Sequence, residues 1–236
     1  MDERRVVLIT GSSGGLGPTV VSAFAAARAR IVALATRADK LVALEEKVPM
    51  PREDWLPLAE DLTEYAAADR AVRAAVEHFG RIDSVVALAG GWRGGSLVAD
   101  TSPETLNEML HINLLTAFNI CRASLPILTQ RGWGRIVTIS ARAALAGQAK
   151  NGAYAASKAA LVALTQTIAA ETRGTGVTAN ALMLGTIDTP ANRQAMPKAD
   201  FGRWVTPQQI ADAILFLCSD QAAAITGALV PLTGRE

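Results

Sequence analysis

The sequence predicts an α/β fold: a single doubly wound (Rossmann) domain with about seven mostly parallel strands and helices on both faces. Short apolar runs alternate with longer helical segments along the whole chain, which is the order of βαβ units. The strand candidates are continuously apolar, as expected for a sheet that is buried on both faces. The 236 residues, 50% of them apolar, suffice for one such domain, and no linker-like segment divides them.

The predicted elements follow from these runs in chain order. Each strand is a short apolar run, and each helix is a longer segment between two such runs. We predict strands at Arg5–Thr10, Arg30–Ala35, Trp55–Ala59, Ser84–Ala89, Gly134–Ser140, Val177–Met183 and Ala228–Leu232. We predict helices at Pro18–Ala29, Asp39–Val48, Glu64–Phe79, Pro103–Thr129, Gly152–Arg173 and Pro207–Ser219. Residues 186–205 are predicted to form a lid over the substrate.

Composition and charge exclude several classes of function. The formal net charge is +1 with acids and bases well mixed, which argues against nucleic acid or an anionic membrane as the main partner. The N-terminal apolar run is too short for a signal peptide, and no stretch approaches the roughly 20 apolar residues of a membrane span. Cys121 and Cys218 are interpreted as reduced core thiols, and His78 and His111 lack further ligands for a metal. The sequence therefore predicts a cytoplasmic protein without a metal site.

A glycine-rich loop, Thr10–Gly17, lies directly between the first predicted strand and the first predicted helix. Glycine lets the backbone turn sharply and approach a pyrophosphate, whose negative charge is favoured at a helix N-terminus. The alternative is a plain turn, but the position between strand and helix favours a dinucleotide site. The residues that we expect to bind the cofactor here are Gly11, Ser13, Gly15, Leu16 and Gly17.

The end of the second strand bears on which dinucleotide is bound. An acidic residue at this point would bind the ribose hydroxyls and repel a 2′-phosphate, but the chain has Thr36 and Arg37. The guanidinium of Arg37 could pair with that phosphate, so NADP(H) is favoured over NAD(H); the alternative is a solvated surface arginine. Asp61 and Leu62 follow the third strand, where the carboxylate of Asp61 would either bind the adenine or cap the next helix.

Tyr154 and Lys158 lie one turn apart on the same face of a predicted helix. A free tyrosine hydroxyl has a pKa of about 10, and a neighbouring ammonium group together with a cationic oxidised nicotinamide would pull that pKa toward neutrality. Such a pair suits general acid–base catalysis, whereas the alternative is an ordinary surface pair.

Two further polar residues lie where they could complete a catalytic centre. Ser140 ends the fifth strand, and the carboxyl ends of strands line the ligand crevice in such sheets. Its hydroxyl could stabilise negative charge on a substrate oxygen, or it could be a satisfied strand-end serine. Asn113 is a poor helix former inside a helical segment. It either makes a local bond or holds a water that links Lys158 to solvent.

The glycine loop, Asn113, Ser140 and the spacing of Tyr154 and Lys158 together resemble the short-chain dehydrogenase/reductase family, in this order and across nearly the whole chain. The resemblance implies an NAD(P)-dependent enzyme in which Tyr154 is the acid/base. It implies that Lys158 binds the nicotinamide ribose and lowers the pKa of the tyrosine, that Ser140 orients the carbonyl and that Asn113 completes a proton relay. Further cofactor contacts are expected from Ala89, Gly90, Gly185, Ile187 and Thr189.

The same resemblance implies that the helices Pro103–Thr129 and Gly152–Arg173 pack across two-fold axes in a homodimer or homotetramer. The chain departs from the family pattern at two positions. Ala87 stands where an asparagine is usual, and Leu184 stands where a proline is usual. Both changes could alter the affinity for the cofactor, since Ala87 cannot make the hydrogen bonds of an asparagine side chain.

Two segments, 89–95 and 187–201, locally resemble dihydropteridine reductases. In these segments Trp92 could stack on a flat heterocycle, and Met196 would belong to the substrate lid. Dihydropteridine reductases are similar to enzymes that use NADH and carry an acidic residue at the end of the second strand. They also lack a serine at the position of Ser140. We therefore expect an NADP(H)-dependent oxidoreductase acting on a carbonyl or hydroxyl group. The alternatives are a dihydropteridine-type reductase and a non-catalytic regulator that senses NADP(H).

Overall fold

The computed structural model describes residues 4–235 and contains one seven-stranded parallel sheet with the strand order β3-β2-β1-β4-β5-β6-β7. The predicted doubly wound fold is therefore confirmed. The strands are β1 Val6–Thr10, β2 Arg30–Ala35, β3 Trp55–Ala59, β4 Ser84–Ala87, β5 Gly134–Ala141, β6 Val177–Leu184 and β7 Leu229–Leu232. The main helices are α1 Gly17–Ala26, α2 Ala38–Glu45, α3 Tyr65–Phe79, α4 Pro103–Leu110, α5 Thr116–Arg131, α6 Gly152–Glu171, α7 Pro190–Ala195 and α8 Pro207–Leu217.

The sheet is buried on both faces, which explains the continuously apolar strands. Successive residues of β1 belong to two different apolar clusters, since Val7 and Ile9 pack on one side with α1 and α8, whereas Val6 and Leu8 pack on the other with α3 and α5. The order of the strands reverses on either side of β1. The carboxyl ends of β1 and β4 therefore border a crevice, which is the usual ligand site of such sheets.

The long helix that the sequence predicts over Pro103–Thr129 is interrupted. A π-helical turn at His111–Leu115 separates α4 from α5, and its one buried residue is Asn113. π turns inside helices occur frequently at functional sites, because the inserted residue redirects a side chain. The strand predicted over Ser84–Ala89 also ends earlier, at Ala87, because the next residues turn toward the crevice.

The segment Pro103–Arg131 is long and apolar enough to cross a membrane by length and composition alone. This corrects the expectation that no stretch approaches that length. Half of its most apolar window is buried inside the fold, and α5 packs on α3 and β4. A helix of this kind is typical of the core of an α/β sheet, and we interpret it as a core helix.

Candidate active site

The glycine-rich loop packs too tightly for other residues at two positions. A Cβ atom on Gly17 would lie 2.0 Å from the carbonyl oxygen of Ser12, and one on Gly11 would lie 2.8 Å from the backbone nitrogen of Ala89. Gly11 also has a φ of 63°, which favours glycine. The loop therefore lies directly on the segment after β4, as the sequence predicts for a phosphate cradle.

The N-terminus of α1 adds a second feature suited to an anion. Leu16 precedes the helix without a side-chain cap, and no acidic residue lies in its first turn. The N–H of Gly17 bonds the carbonyl of Gly14 and Pro18 has no N–H, so the first turn offers a phosphate mainly the positive end of the helix dipole. Ser12, which the sequence analysis did not single out, anchors the loop by bonding Ile9 and Leu34 through its hydroxyl.

A cavity of about 710 Å³ opens at the carboxyl ends of β1, β4, β5 and β6. It joins the glycine loop to the predicted catalytic helix and to the lid. Most of the residues predicted from sequence to bind cofactor or substrate line this cavity: Gly11, Gly15, Leu16, Gly17, Ala89, Gly90, Trp92, Ser140, Tyr154, Lys158, Gly185, Ile187, Thr189 and Met196. Ser13 lies half-buried in the same loop.

Tyr154 and Lys158 lie in this cavity, and burial affects both groups strongly. The Lys158 ammonium lies 5.9 Å from the centre of the Tyr154 ring and donates a hydrogen bond of 2.8 Å to the carbonyl of Ile139. Burial lowers the pKa of Lys158 from 10.5 to about 8 and raises the pKa of Tyr154 from 10.0 to about 12. The expected lowering of the tyrosine pKa is therefore absent from the protein alone, because burial desolvates the phenolate.

Ser140 lines the cavity and is bonded to the catalytic helix. Its buried hydroxyl donates a 3.0 Å hydrogen bond to the main-chain carbonyl of Lys158, and the orientation of a substrate oxygen by Ser140 stays a prediction. The strand alternation explains this direction. Thr138 lies two residues earlier on the same face of β5 and bonds Thr165 of α6. Ser140 thus joins β5 to α6, and together with Ile139 it holds Lys158 at both ends.

Asn113 uses its amide to hold the loop after β4. Its oxygen accepts from the backbone N–H of Gly91, and its nitrogen donates to the carbonyl of Gly91 and to the hydroxyl of Ser157. Gly90 lies between these groups, since a Cβ there would lie 2.6 Å from the Asn113 oxygen and 3.2 Å from the Lys158 nitrogen. Asn113 is therefore adjacent to Lys158 through Gly90, and its buried polar group is satisfied locally.

The residues predicted to contact the adenosine half lie farther along the sheet edge. Thr36 and Arg37 are exposed at the end of β2. The Arg37 guanidinium forms two hydrogen bonds, of 3.0 and 2.6 Å, with the carboxylate of Asp39. Asp61 accepts from the backbone and hydroxyl of Thr63, which is a local turn contact and not a cap on α3.

Three residues remain from the sequence analysis, and apolar neighbours surround two of them. Leu62, the other residue predicted after β3, is buried in the cluster beneath α3. Ala87, where the family pattern has asparagine, packs against Ala117 and Leu161 between α5 and α6. Leu184, the other departure, ends β6 and lines the cavity. The change at Ala87 therefore affects the packing of helices and does not remove a group that faces the cavity.

The cavity also contains residues that the sequence analysis missed. Gln148, Asn151 and Asn192 line it, and they lie in the segment before α6 and in the lid. Only their positions in the chain could have indicated a role in the site, because amide side chains are common in surface loops and do not identify a binding residue. Among residues 4–235, no group of three His, Cys, Asp or Glu side chains could hold a metal ion.

Nearly the whole chain is similar in sequence and in fold to proteins of one known family. Residues 5–200 match the family described as short chain dehydrogenase. A D-threitol dehydrogenase of Mycolicibacterium smegmatis is 33% identical, with 98% of this chain and 92% of that protein covered. A 3-oxoacyl-acyl-carrier-protein reductase of Thermotoga maritima is 30% identical, with coverages of 98% and 97%. The solved structure of levodione reductase superimposes with a TM-score of 0.90 at 28% identity, covering 98% of this chain and 96% of that one.

Proposed function

Since this chain belongs to the short-chain dehydrogenase/reductase family of NAD(P)-dependent oxidoreductases, we propose that it transfers hydride between NADP(H) and a carbonyl or hydroxyl group, with Tyr154 as the general acid/base. The observation that carries this proposal is the joint placement of Tyr154, Lys158 and the glycine cradle around one cavity. The relatives' names, a reductase and a dehydrogenase, agree with carbonyl and hydroxyl chemistry. Neither a pterin-type reductase nor a non-catalytic sensor is favoured by them.

Each part of the proposed reaction is assigned to particular residues of this chain. A bound NADP(H) would supply or accept the hydride, held by the glycine loop at its phosphates and by Gly90, Gly185, Ile187 and Thr189 near the nicotinamide. Tyr154 gives its proton to the substrate oxygen in reduction and takes it back in oxidation. Lys158 contributes a positive charge that favours the phenolate, and the residues 186–205 act as a lid that excludes water.

We assign Ser140 to the positioning of Lys158, so Tyr154 remains the proton donor to the substrate. Ser140→Ala should therefore cost about 1 kcal/mol of stability, the usual contribution of one such hydrogen bond. We expect its kcat to fall by roughly tenfold at most, well short of the loss of a general acid. Thermal unfolding and steady-state kinetics on the same preparation check this. A loss of kcat as deep as in a Tyr154 variant, with unchanged stability, would show that the Ser140 hydroxyl contacts the substrate.

The preference for NADP(H) is supported by the end of β2. Arg37 is exposed there and is pre-oriented by Asp39, and the fork of a guanidinium can turn from a carboxylate to a phosphate. Bonding to Asp39 raises the pKa of Arg37, so the side chain stays charged. No acidic residue occupies the two positions that follow the strand, Thr36 and Arg37.

Arg37→Asp should lower the ratio of kcat/KM for NADPH over NADH by about tenfold or more, because a cation for the phosphate becomes a repelling anion. The measurement is cofactor titration at saturating substrate. Arg52→Asp makes the same change of charge at an exposed arginine just before β3, whose first residue pairs with the start of β2 and not with its end. This variant should leave the ratio unaltered. An equal ratio in Arg37→Asp and the native chain would mean that Arg37 is only a surface charge.

The activity itself is tested directly by a panel of ketones, quinones and alcohols, each with NADPH and NADH, followed at the absorbance of the reduced nicotinamide. Turnover of at least one carbonyl or alcohol, with NADPH preferred, supports the proposal. Tight binding of NADPH without turnover of any compound, including quinonoid dihydropterin, would favour a sensor instead.

The proposed enzyme is a homodimer or homotetramer. Leu106 of α4 and Phe118 of α5 are exposed apolar side chains on the helices expected to pack across two-fold axes. A monomer in light scattering would contradict this proposal.

Cys121 and Cys218 are buried and form no disulfide, and burial raises the pKa of both thiols to about 12. Unreactive reduced thiols of this kind fit the proposed cytoplasmic setting.

A further inference from the structure

Trp92 lies at the mouth of the active-site cavity in an arrangement that packing of the core does not explain. Its side chain is 65% exposed, yet its indole N–H donates a 2.9 Å hydrogen bond to the side-chain oxygen of Asn151. Trp92 and Asn151 both line the cavity, as does Tyr154, the proposed proton donor. A large aromatic ring is thus held in place beside the reaction site while most of its surface stays uncovered.

The loop that carries Trp92 is tied down along its length. Gly91 makes two hydrogen bonds with Asn113, Arg93 forms an ion pair of 2.7 Å with Glu108, and the N–H of Gly95 bonds the carbonyl of Lys150 at 2.8 Å. These contacts connect the loop to the π turn, to α4 and to the segment before α6. The indole is therefore presented by a braced loop, so that little conformational entropy remains to be lost when a ligand contacts it.

Gly94 shows how closely the loop is built around the indole. A Cβ atom at this position would lie 2.8 Å from Cζ2 of Trp92 and 3.0 Å from the Asn151 oxygen. The backbone thus packs against the indole on one side. Lys150, whose carbonyl anchors the loop, has a φ of 64°, a left-handed conformation that costs free energy outside glycine.

The lid supplies a complementary surface. Met196 is 41% exposed and lines the same cavity, together with Ala195 and Ala143. Thioether sulfur and indole both make favourable contacts with aromatic rings. These side chains, an oriented indole, a thioether and two small apolar groups, line the same cavity as the amides of Gln148 and Asn192, and they can contact the faces of a flat ring.

We propose that Trp92, held by Asn151, is the stacking surface for an aromatic ring of the substrate, and that the enzyme prefers ketones whose carbonyl is attached to a fused aromatic ring system. This inference rests on the proposed function. The carbonyl carbon would take a hydride from NADPH, which is thereby oxidised to NADP⁺, the π electrons of the C=O bond move to the oxygen, and Tyr154 supplies the proton that completes the alcohol. Trp92 is a specificity-determining residue, and Asn151 is a positioning residue that acts through it.

The test compares 1-tetralone with 1-decalone, which share a bicyclic skeleton and a ring ketone but differ in the aromatic ring. Trp92→Leu should raise KM for 1-tetralone about tenfold, equivalent to about 1.4 kcal/mol, with kcat changed less than about threefold. KM for 1-decalone should stay within about twofold. Trp133→Leu, the same substitution at a tryptophan packed between Arg5 and Arg135, should change neither constant. Equal effects of Trp92→Leu on both ketones would overturn the proposal.

The role of Asn151 is tested by two variants. Asn151→Ala releases the indole N–H and should raise KM for 1-tetralone in the same direction as Trp92→Leu. Asn151→Asp keeps an acceptor oxygen and should restore the native KM. If both variants raise KM equally, Asn151 does not act by holding the indole.

A binding measurement separates this inference from the proposed function. Binding of 1-tetralone should quench tryptophan fluorescence in the native chain and much less in Trp92→Leu. If no compound of the panel is turned over but this difference in quenching is present, the proposed function fails and the stacking surface stands. Equal quenching in both proteins would overturn the stacking surface whatever the activity.

Discussion

Tyr154→Phe is expected to lower kcat by about three orders of magnitude while the Kd for NADPH changes by no more than a few-fold. The substitution removes one hydroxyl and keeps the ring, so packing against Lys158 is preserved. General acid–base groups typically contribute about 10²- to 10⁴-fold to the rate. Because burial raises the pKa of Tyr154 to about 12, the phenol is protonated at neutral pH and is ready to act as an acid in reduction. Steady-state kinetics and a fluorescence titration with NADPH measure the two quantities.

The chain offers a matched control, because Tyr65 is its other tyrosine. Tyr65 begins α3, its ring centre lies 3.9 Å from the guanidinium of Arg122, and it is not among the residues that line the cavity. Tyr65→Phe removes the same hydroxyl and should leave kcat unaltered. Native activity in Tyr154→Phe would refute the assignment of the acid/base.

The second large effect is expected from Gly17→Ala. The new methyl group would lie 2.0 Å from the Ser12 carbonyl oxygen and 2.3 Å from its carbon, and both are backbone atoms that cannot rotate away. Relief requires a shift of the loop or of α1, so we expect a loss of about 3 kcal/mol or more in the free energy of unfolding. The same shift displaces the N–H groups that would hold the pyrophosphate, so NADPH affinity should fall as well. Urea unfolding and an NADPH titration measure both effects.

Gly15→Ala in the same loop provides the comparison. The nearest atom to its added Cβ is a methyl group of Thr189 at 3.9 Å, an ordinary van der Waals distance. Its stability should stay within about 0.5 kcal/mol of the native chain. Equal stability of the two variants would mean that the close approach of Gly17 to Ser12 is not a constraint on the fold.

Much of the fold could be predicted because its signals are local. The strand β2 was predicted with its observed bounds, Arg30–Ala35, and so was β3, Trp55–Ala59. Continuous apolar runs arise when both faces of a sheet are buried, so the pattern carries the fold class directly. The interruption of the helix at His111–Leu115 could not be predicted in this way, because a π turn leaves the apolar pattern of a helix almost unchanged.

The candidate site likewise contains features that follow from local sequence and features that depend on distant contacts. The spacing of Tyr154 and Lys158 follows from helix geometry, which places residues one turn apart on a common face. The direction of Ser140 could have been inferred only from its partner on α6, and the sequence contains no sign of that distant contact. The raised pKa of Tyr154 likewise depends on burial by neighbours far along the chain.

By itself, the sequence therefore determined the order of strands and helices, the glycine loop and the turn that pairs Tyr154 with Lys158, since each depends on residues close together in the chain. Only the tertiary structure decided that the Ser140 hydroxyl bonds the Lys158 carbonyl, that Asn113 holds the loop after β4 and that Asn151 orients Trp92. Those contacts depend on side-chain directions and on loops brought together by folding. A hydrogen bond requires its two atoms to lie within a few tenths of an ångström of an ideal distance, and that precision is set by the packed fold.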